Sequence, residues 1–172
     1  MNASHIAFPT ERSQALPAIA WAGLIAGVLD ITSAFVLSYP KGVGPIGVLQ
    51  GVASGLLGRE SAVQGGLVTA GLGLVIHFLI AFVAASVFYV ASRKLVVLTR
   101  HAVISGLLYG VAVYGFMYWI VVPLAFANAR HSISRDITAV IVHMFLIGLP
   151  IALIVRRYSP HQPSTISHQS PP

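Results

Sequence analysis

The chain reads as an all-α integral membrane protein, a four-helix bundle with a short interfacial or re-entrant helix between its first and second spans. Three observations predict this. Hydrophobic residues make up 56% of the sequence and charged residues only 8%, where soluble domains carry about 25% charged residues. The apolar residues gather into four runs, each long enough to cross a hydrocarbon core of about 30 Å as a helix. The charges lie almost entirely in the short loops and at the ends of those runs.

One domain is expected over residues 17–158, because no polar linker divides the runs. Residues 1–16 and 159–172 read as tails, the second rich in Pro, Ser, Gln and His. The absence of cysteine removes disulfides, thiolate metal sites and cysteine nucleophiles. A net charge of +6 would suggest nucleic acid in a soluble protein, but here the cations flank apolar runs and set orientation instead. No nucleic-acid partner is expected, since no basic stretch with interleaved aromatics is present. No P-loop, G-x-S-x-G, H-E-x-x-H or dinucleotide fingerprint occurs either, so the chain is not read as an enzyme.

The first span, residues 17–39, opens on Pro17, suited to a helix's first turn, and carries Trp21 and Tyr39 near its ends as interfacial aromatics. Gly23, Ala26, Gly27, Asp30, Ser33 and Ala34 share one face, which turns Asp30 inward. A central Asp costs about 2.5–3.5 kcal/mol on insertion scales, so its carboxyl must be protonated, paired or hydrated. Residues 45–58 are apolar but too short to span. Gly47, Gly51 and Gly55 form a G-x-x-x-G-x-x-x-G stripe on which this helix could pack against a span.

The second span, residues 66–91, would make a helix of roughly 39 Å. Gly66, Ala70, Gly73, His77, Ala81 and Ala84 form a face of small residues with the imidazole among them, so His77 should meet a partner helix. After the basic turn at residues 92–101 comes the third span, 102–127, with Gly106 and Gly110 as a small patch. Tyr114 and Tyr118 lie one turn apart on it, and Tyr118 and Trp119 also suit an interfacial role. Ser134 or Asp136 is placed to cap the fourth span, 137–155, in which Gly148 and Pro150 should kink the helix just past His143.

Four spans bring both termini to one side. That side holds Arg12, Arg93, Lys94, Arg100, Arg156 and Arg157, against Lys41, Arg59, Arg130 and Arg135. The positive-inside rule then places both termini in the cytoplasm of a bacterial inner membrane. Counting from shared span ends sets His77 and His143 about 4.5 Å apart in depth. Asp30 falls in the same layer, and Tyr114 and Tyr118 bracket it.

Four readings of this layer compete. Asp30, His77, His143, Tyr114 and Tyr118 could form a relay for protons or a polar path for a small solute, because His changes charge near neutral pH and a carboxylate beside it can hold the proton. Alternatively, His77 and His143 could be axial ligands of haem b, with Gly73 and Ala70 making room for the macrocycle. A third reading has the two imidazoles and Asp30 binding Fe(II) or Zn(II), although these residues come from three separate helices and no metal site is assigned. The last is purely structural: the polar groups specify helix pairing in a membrane or assembly protein. The partners that follow are the lipid bilayer and, for assembly, a second copy or another membrane subunit.

Val48-Leu49-Gln50, the run Ala53 to Gly58, Gly65-Gly66, Thr69-Ala70, Leu72-Gly73 and His77-Phe78 form an ordered series. It continues in Ala91-Ser92-Arg93, Leu108-Tyr109-Gly110, His143-Met144 and Gly148-Leu149-Pro150. From about Ala22 to Arg157 the chain thereby resembles a family of uncharacterised bacterial inner-membrane proteins, distantly similar to the YagU type. The resemblance implies the four-span architecture and a family pattern that includes His77 and His143. It transfers no catalytic residue.

Overall fold

A computed structural model describes residues 12–126 and 133–159 of the chain. Among these residues the chain is helical, without strands. Four of its helical rods are long and apolar enough to cross a membrane: Gln14–Lys41, Gly66–Lys94, Ala102–Ala125 and Arg135–Arg157. The elements are α1 (Arg12–Ser38), α2 (Pro45–Leu57), α3 (Arg59–Gln64), α4 (Gly66–Lys94), α5 (Val97–Arg100), α6 (Ala102–Phe116), α7 (Val122–Ala125), α8 (Ile133–Val142) and α9 (Leu149–Arg157).

Several boundaries differ from the sequence reading. Helix α1 begins at Arg12, inside the expected tail, so Pro17 lies within the helix and does not open it. Helix α8 begins at Ile133, which puts Asp136 in its first turn and makes Ser134 helical, so neither is the capping residue. Of the tails expected at 1–16 and 159–172, residues 1–11 and 160–172 lie outside the described residues, as do residues 127–132. Helix α2 ends at Leu57 because Gly58 adopts φ 77°, a left-handed backbone that glycine alone adopts without strain. The chain then turns through α3 into α4.

The third and fourth rods are each widened at one place. A proline cannot donate to the carbonyl one turn back, and its ring crowds that carbonyl. Pro123 follows a π-type turn at Met117–Val121, and Pro150 follows another at His143–Gly148. In both, the backbone avoids the clash by opening to the wider spacing. The kink expected near Pro150 therefore takes the form of a wide turn that begins at His143, and Pro123 produces a second one.

Packing rests on small residues. A Cβ on Gly110 would fall on the His143 carbonyl, and one on Gly148 would fall on the Gly106 carbonyl. Helix α6 thus crosses the wide turn backbone against backbone, as small residues allow in lipid. Helix α2 lies along α4 by the same device turned around, since Gly73 of α4 receives the Leu49 carbonyl of α2. The glycine stripe of α2 is not the surface that meets α4: Gly51 faces open space and Gly55 meets Ala125 and Phe126.

The two ends of the bundle differ. At the end holding the start of α1 and the finish of α4 and α9, Ala18, Ala22, Phe88, Ala102, Ile151 and Val155 form a closed core. Phe88 stacks edge-on against Tyr109 at 5.0 Å, and the Tyr109 hydroxyl donates to the Ala84 carbonyl at 2.6 Å. At the other end the rods splay around a cavity.

Candidate functional site

The cavity has a volume of about 610 Å³, within the range of pockets that hold small molecules. Its mouth lies beside Ser38 and Lys41 at the end of the first rod and Arg135 at the start of α8. Its floor is formed by Ala26, Ala84, Val113 and Ile147, against the closed core. Val48 and Val52 of α2 supply one wall, so the short helix encloses the cavity without spanning the bundle. The walls are mostly aliphatic. Asp30, His77, His143 and Tyr118 are the polar groups at depth.

His77 reaches the site because α4 and α1 approach along their small faces. Its Nε2 lies 2.9 Å from the Gly27 carbonyl of α1. A carbonyl only accepts, so Nε2 carries the hydrogen and Nδ1 is the variable nitrogen. Nδ1 faces the Asp30 carboxylate at 4.0 Å. In the neutral ring both facing atoms are acceptors. At that separation the two groups face one another without a direct hydrogen bond. Asp30 is held at the right height by its helix, and Ser33 donates to its backbone carbonyl at 2.7 Å. The Asp30 side chain stays 25% exposed to the cavity while that of His77 is 12% exposed.

His143 is supported differently. Its Nδ1 donates to the Ala139 carbonyl of its own helix at 2.8 Å, which fixes the ring at the first residue of the wide turn. Tyr114 and Tyr118 meet this ring edge-on, each at 5.9 Å, and stack on one another at 4.8 Å. The Tyr114 hydroxyl is hydrogen-bonded to Asp136. Both imidazoles lie within electrostatic reach of Asp30.

Four of the five residues singled out in the sequence thus line one cavity, and Tyr114 lies just behind them. Trp119, the neighbour of Tyr118, is 65% exposed on the outer surface instead. Two of the alternative readings gain no support from this geometry. The room foreseen beside Gly73 for a macrocycle is filled by the backbone of α2, and Nε2 of His77 is already engaged by Gly27. Among the described residues, no three His, Asp or Glu side chains group closely enough to hold a metal ion, so the reading of Asp30, His77 and His143 as metal ligands does not fit.

Sequence reasoning missed Lys41, Arg135, Ser38 and Thr138 as cavity residues. Lys41 and Arg135 were visible as charges at span ends but served only to set orientation. Gly27 shared the inward face with Asp30, yet nothing in its identity marks a glycine carbonyl as a histidine's partner.

The fold and its exposed apolar surface define a multi-pass helical membrane protein with an internal polar site. Comparison with family models, curated proteins and solved structures gives no match that would narrow this class.

Proposed function

We propose that this chain is a small carrier of the bacterial inner membrane, moving a proton or small solute through its cavity, with Asp30 and His77 holding the proton. The observation that carries this reading is the facing His77–Asp30 pair, which lines a cavity at one end of the bundle while the other end is a closed core. Ionisable groups inside a membrane commonly mark such pathways.

Arg93, Lys94, Arg100, Arg156 and Arg157 stand at the closed end, and Lys41, Arg59 and Arg135 at the open one. By the positive-inside rule the closed end is cytoplasmic, both termini are inside, and the cavity faces out. Passage then requires the Phe88–Tyr109 contact to part, as alternating access demands of a site between two gates. Proteoliposomes with a pH-sensitive dye inside test the reading: the wild-type chain should dissipate an imposed proton gradient, and His77→Ala and Asp30→Asn should abolish that. Equal dissipation by folded variants removes these residues from the path.

A further inference from the structure

Asp30 and His77 present two acceptors to one point in the cavity. Donation from Nε2 to the Gly27 carbonyl leaves Nδ1 of the neutral ring as a lone pair, 4.0 Å from the Asp30 carboxylate. A donor nitrogen seated about 2.8 Å from each atom closes that gap, with its two bonds diverging by about 90°. Two N–H groups on one tetrahedral nitrogen diverge by nearly that much. Water can also bridge the gap, but only a cation answers the charge of an ionised Asp30 as well. Among the described residues, the groups that act on that charge are the imidazoles of His77 and His143, and no lysine or arginine does. Tyr118 also lies in its field. Lys41 stands at the mouth, about 16 Å of helical rise beyond Asp30, and Arg135 adjoins Asp136, of opposite sign. Carboxylates inside a membrane protein commonly act as counter-ions of a bound ligand.

An apolar space begins one turn away. A second hollow of about 460 Å³ lies between α1 and the last rod, lined by Leu29, Val36, Ile141 and Leu146. Ser33, Leu37, Thr138 and Val142 line both spaces, so the two adjoin. Ser33 follows Asp30 by one turn on the same face and donates to its backbone carbonyl. Helix α1 packs on α9 and on the wide turn but scarcely touches α8. Above the wide turn the two rods therefore part, and Val36 and Ile141, on the lips of the cleft, are 65% and 51% exposed. About 9 Å of helical rise separates Asp30 from Val36, room for a short alkyl tail.

We propose that the cavity binds a lipophilic primary amine, held as its ammonium between the Asp30 carboxylate and Nδ1 of His77, with its tail running past Ser33 into the apolar hollow. This deepens the carrier reading by naming a substrate class, and rests on that reading's cavity and pair. The ammonium donates to both acceptors and sets its charge against Asp30, and such charge-assisted bonds are stronger than neutral ones. The proton count closes by either route of entry. A neutral amine arriving from the bilayer takes its third hydrogen from the Asp30 carboxyl, and an ammonium displaces that proton to water. The tail exchanges one apolar surrounding for another, so the head supplies the selectivity.

Native mass spectrometry of the purified chain in non-ionic detergent at about pH 7, where an alkylamine is protonated as lysine is, tests this. The four probes share one tail length: octylamine, octyltrimethylammonium, octanol and octanoic acid. Octylamine should be retained at one copy per chain. The quaternary ammonium has the charge without an N–H and the alcohol has a donor without the charge, so each should bind at least about tenfold more weakly. The acid should not be retained. Asp30→Asn should weaken octylamine at least about tenfold, and His77→Ala about fivefold. Octylamine retained no better than the quaternary ammonium or the alcohol, or not at all, overturns the proposal, and this comparison needs only the wild-type chain. Undiminished retention by folded Asp30→Asn overturns it as well. If no probe is retained while proton dissipation still depends on His77 and Asp30, the carrier reading stands and the substrate class falls. If octylamine is retained as expected while dissipation ignores both residues, the site stands and the carrier reading falls.

Discussion

The closed end and the open end of the bundle are made from the same four rods, yet one packs into a closed apolar core and the other encloses a cavity. Alanines on α1 let α4 and α9 approach closely at the closed end, where Phe88, Ile151 and Val155 fill the remaining space. At the open end both neighbouring rods, α6 and α8, are interrupted by wide turns before a proline. The difference teaches that the polar residues do not make the site by themselves. Small side chains close a helical bundle in lipid, and a backbone irregularity opens it at a chosen depth.

The sharpest way to break this contrast is to hollow the closed end. Phe88→Ala should destabilise the chain by about 3 kcal/mol, near the low end for such truncations, because in lipid packing is lost but no transfer from water is involved. Val52→Ala, on the cavity wall, removes atoms that face space already and should cost less than about 1 kcal/mol. Thermal unfolding in detergent compares the two. Folded Phe88→Ala should also leak protons faster, because the cavity floor is thinned. Equal costs at the two sites would mean that the ends are packed alike.

Much of this arrangement was legible from residue order. Asp30 and His77 sat on faces of small residues, and that was enough to turn both inward and toward each other, since in lipid such faces are where helices meet. The small patch of Gly106 and Gly110 was visible too, although not that its partner is the backbone around His143 and Gly148. The glycine stripe of α2 told only part of its packing: Gly55 does meet Ala125 at the end of the third rod, but small residues permit close approach without requiring it, and along α4 the close approach is made by Gly73 instead. Pro123 announced a disturbance as plainly as Pro150 did, but a wide turn and a kink leave the same mark on a sequence. The splaying of α1 from α8 depends on those turns in three dimensions and had no local signature.

A smaller effect separates the two histidines. His77 joins two rods through Gly27, whereas the hydrogen bond of His143 stays within its own helix. His77→Ala should therefore cost about 1 kcal/mol and broaden the α1–α4 distance distribution measured between spin labels at the outer ends of the two rods. His143→Ala should leave that distribution unchanged and instead weaken the near-ultraviolet circular dichroism of the Tyr114–Tyr118 stack, which loses the ring holding both tyrosines. A broadened α1–α4 distance in both variants would show that the two imidazoles support one shared contact.

The smallest change in stability, and the most direct test of why the open end is open, is expected from Pro150→Ala. Alanine restores the missing N–H and removes the ring, so a regular helix becomes available across His143–Gly148. Stability should rise by less than about 1 kcal/mol. Amide exchange across His143–Gly148 should slow as the wider hydrogen bonds shorten. Closing a π-type turn removes one residue's worth of rotation, about 100°, between the segments on its two sides. His143 would then turn relative to α9 and leave its position beside Asp30, so proton movement should fall in a protein that is more stable than the original. Unchanged exchange would mean that the wide turn is held open by the backbone contact of Gly148 with Gly106. In that case the packing at the waist of the bundle, and not the proline, sets the depth of the cavity.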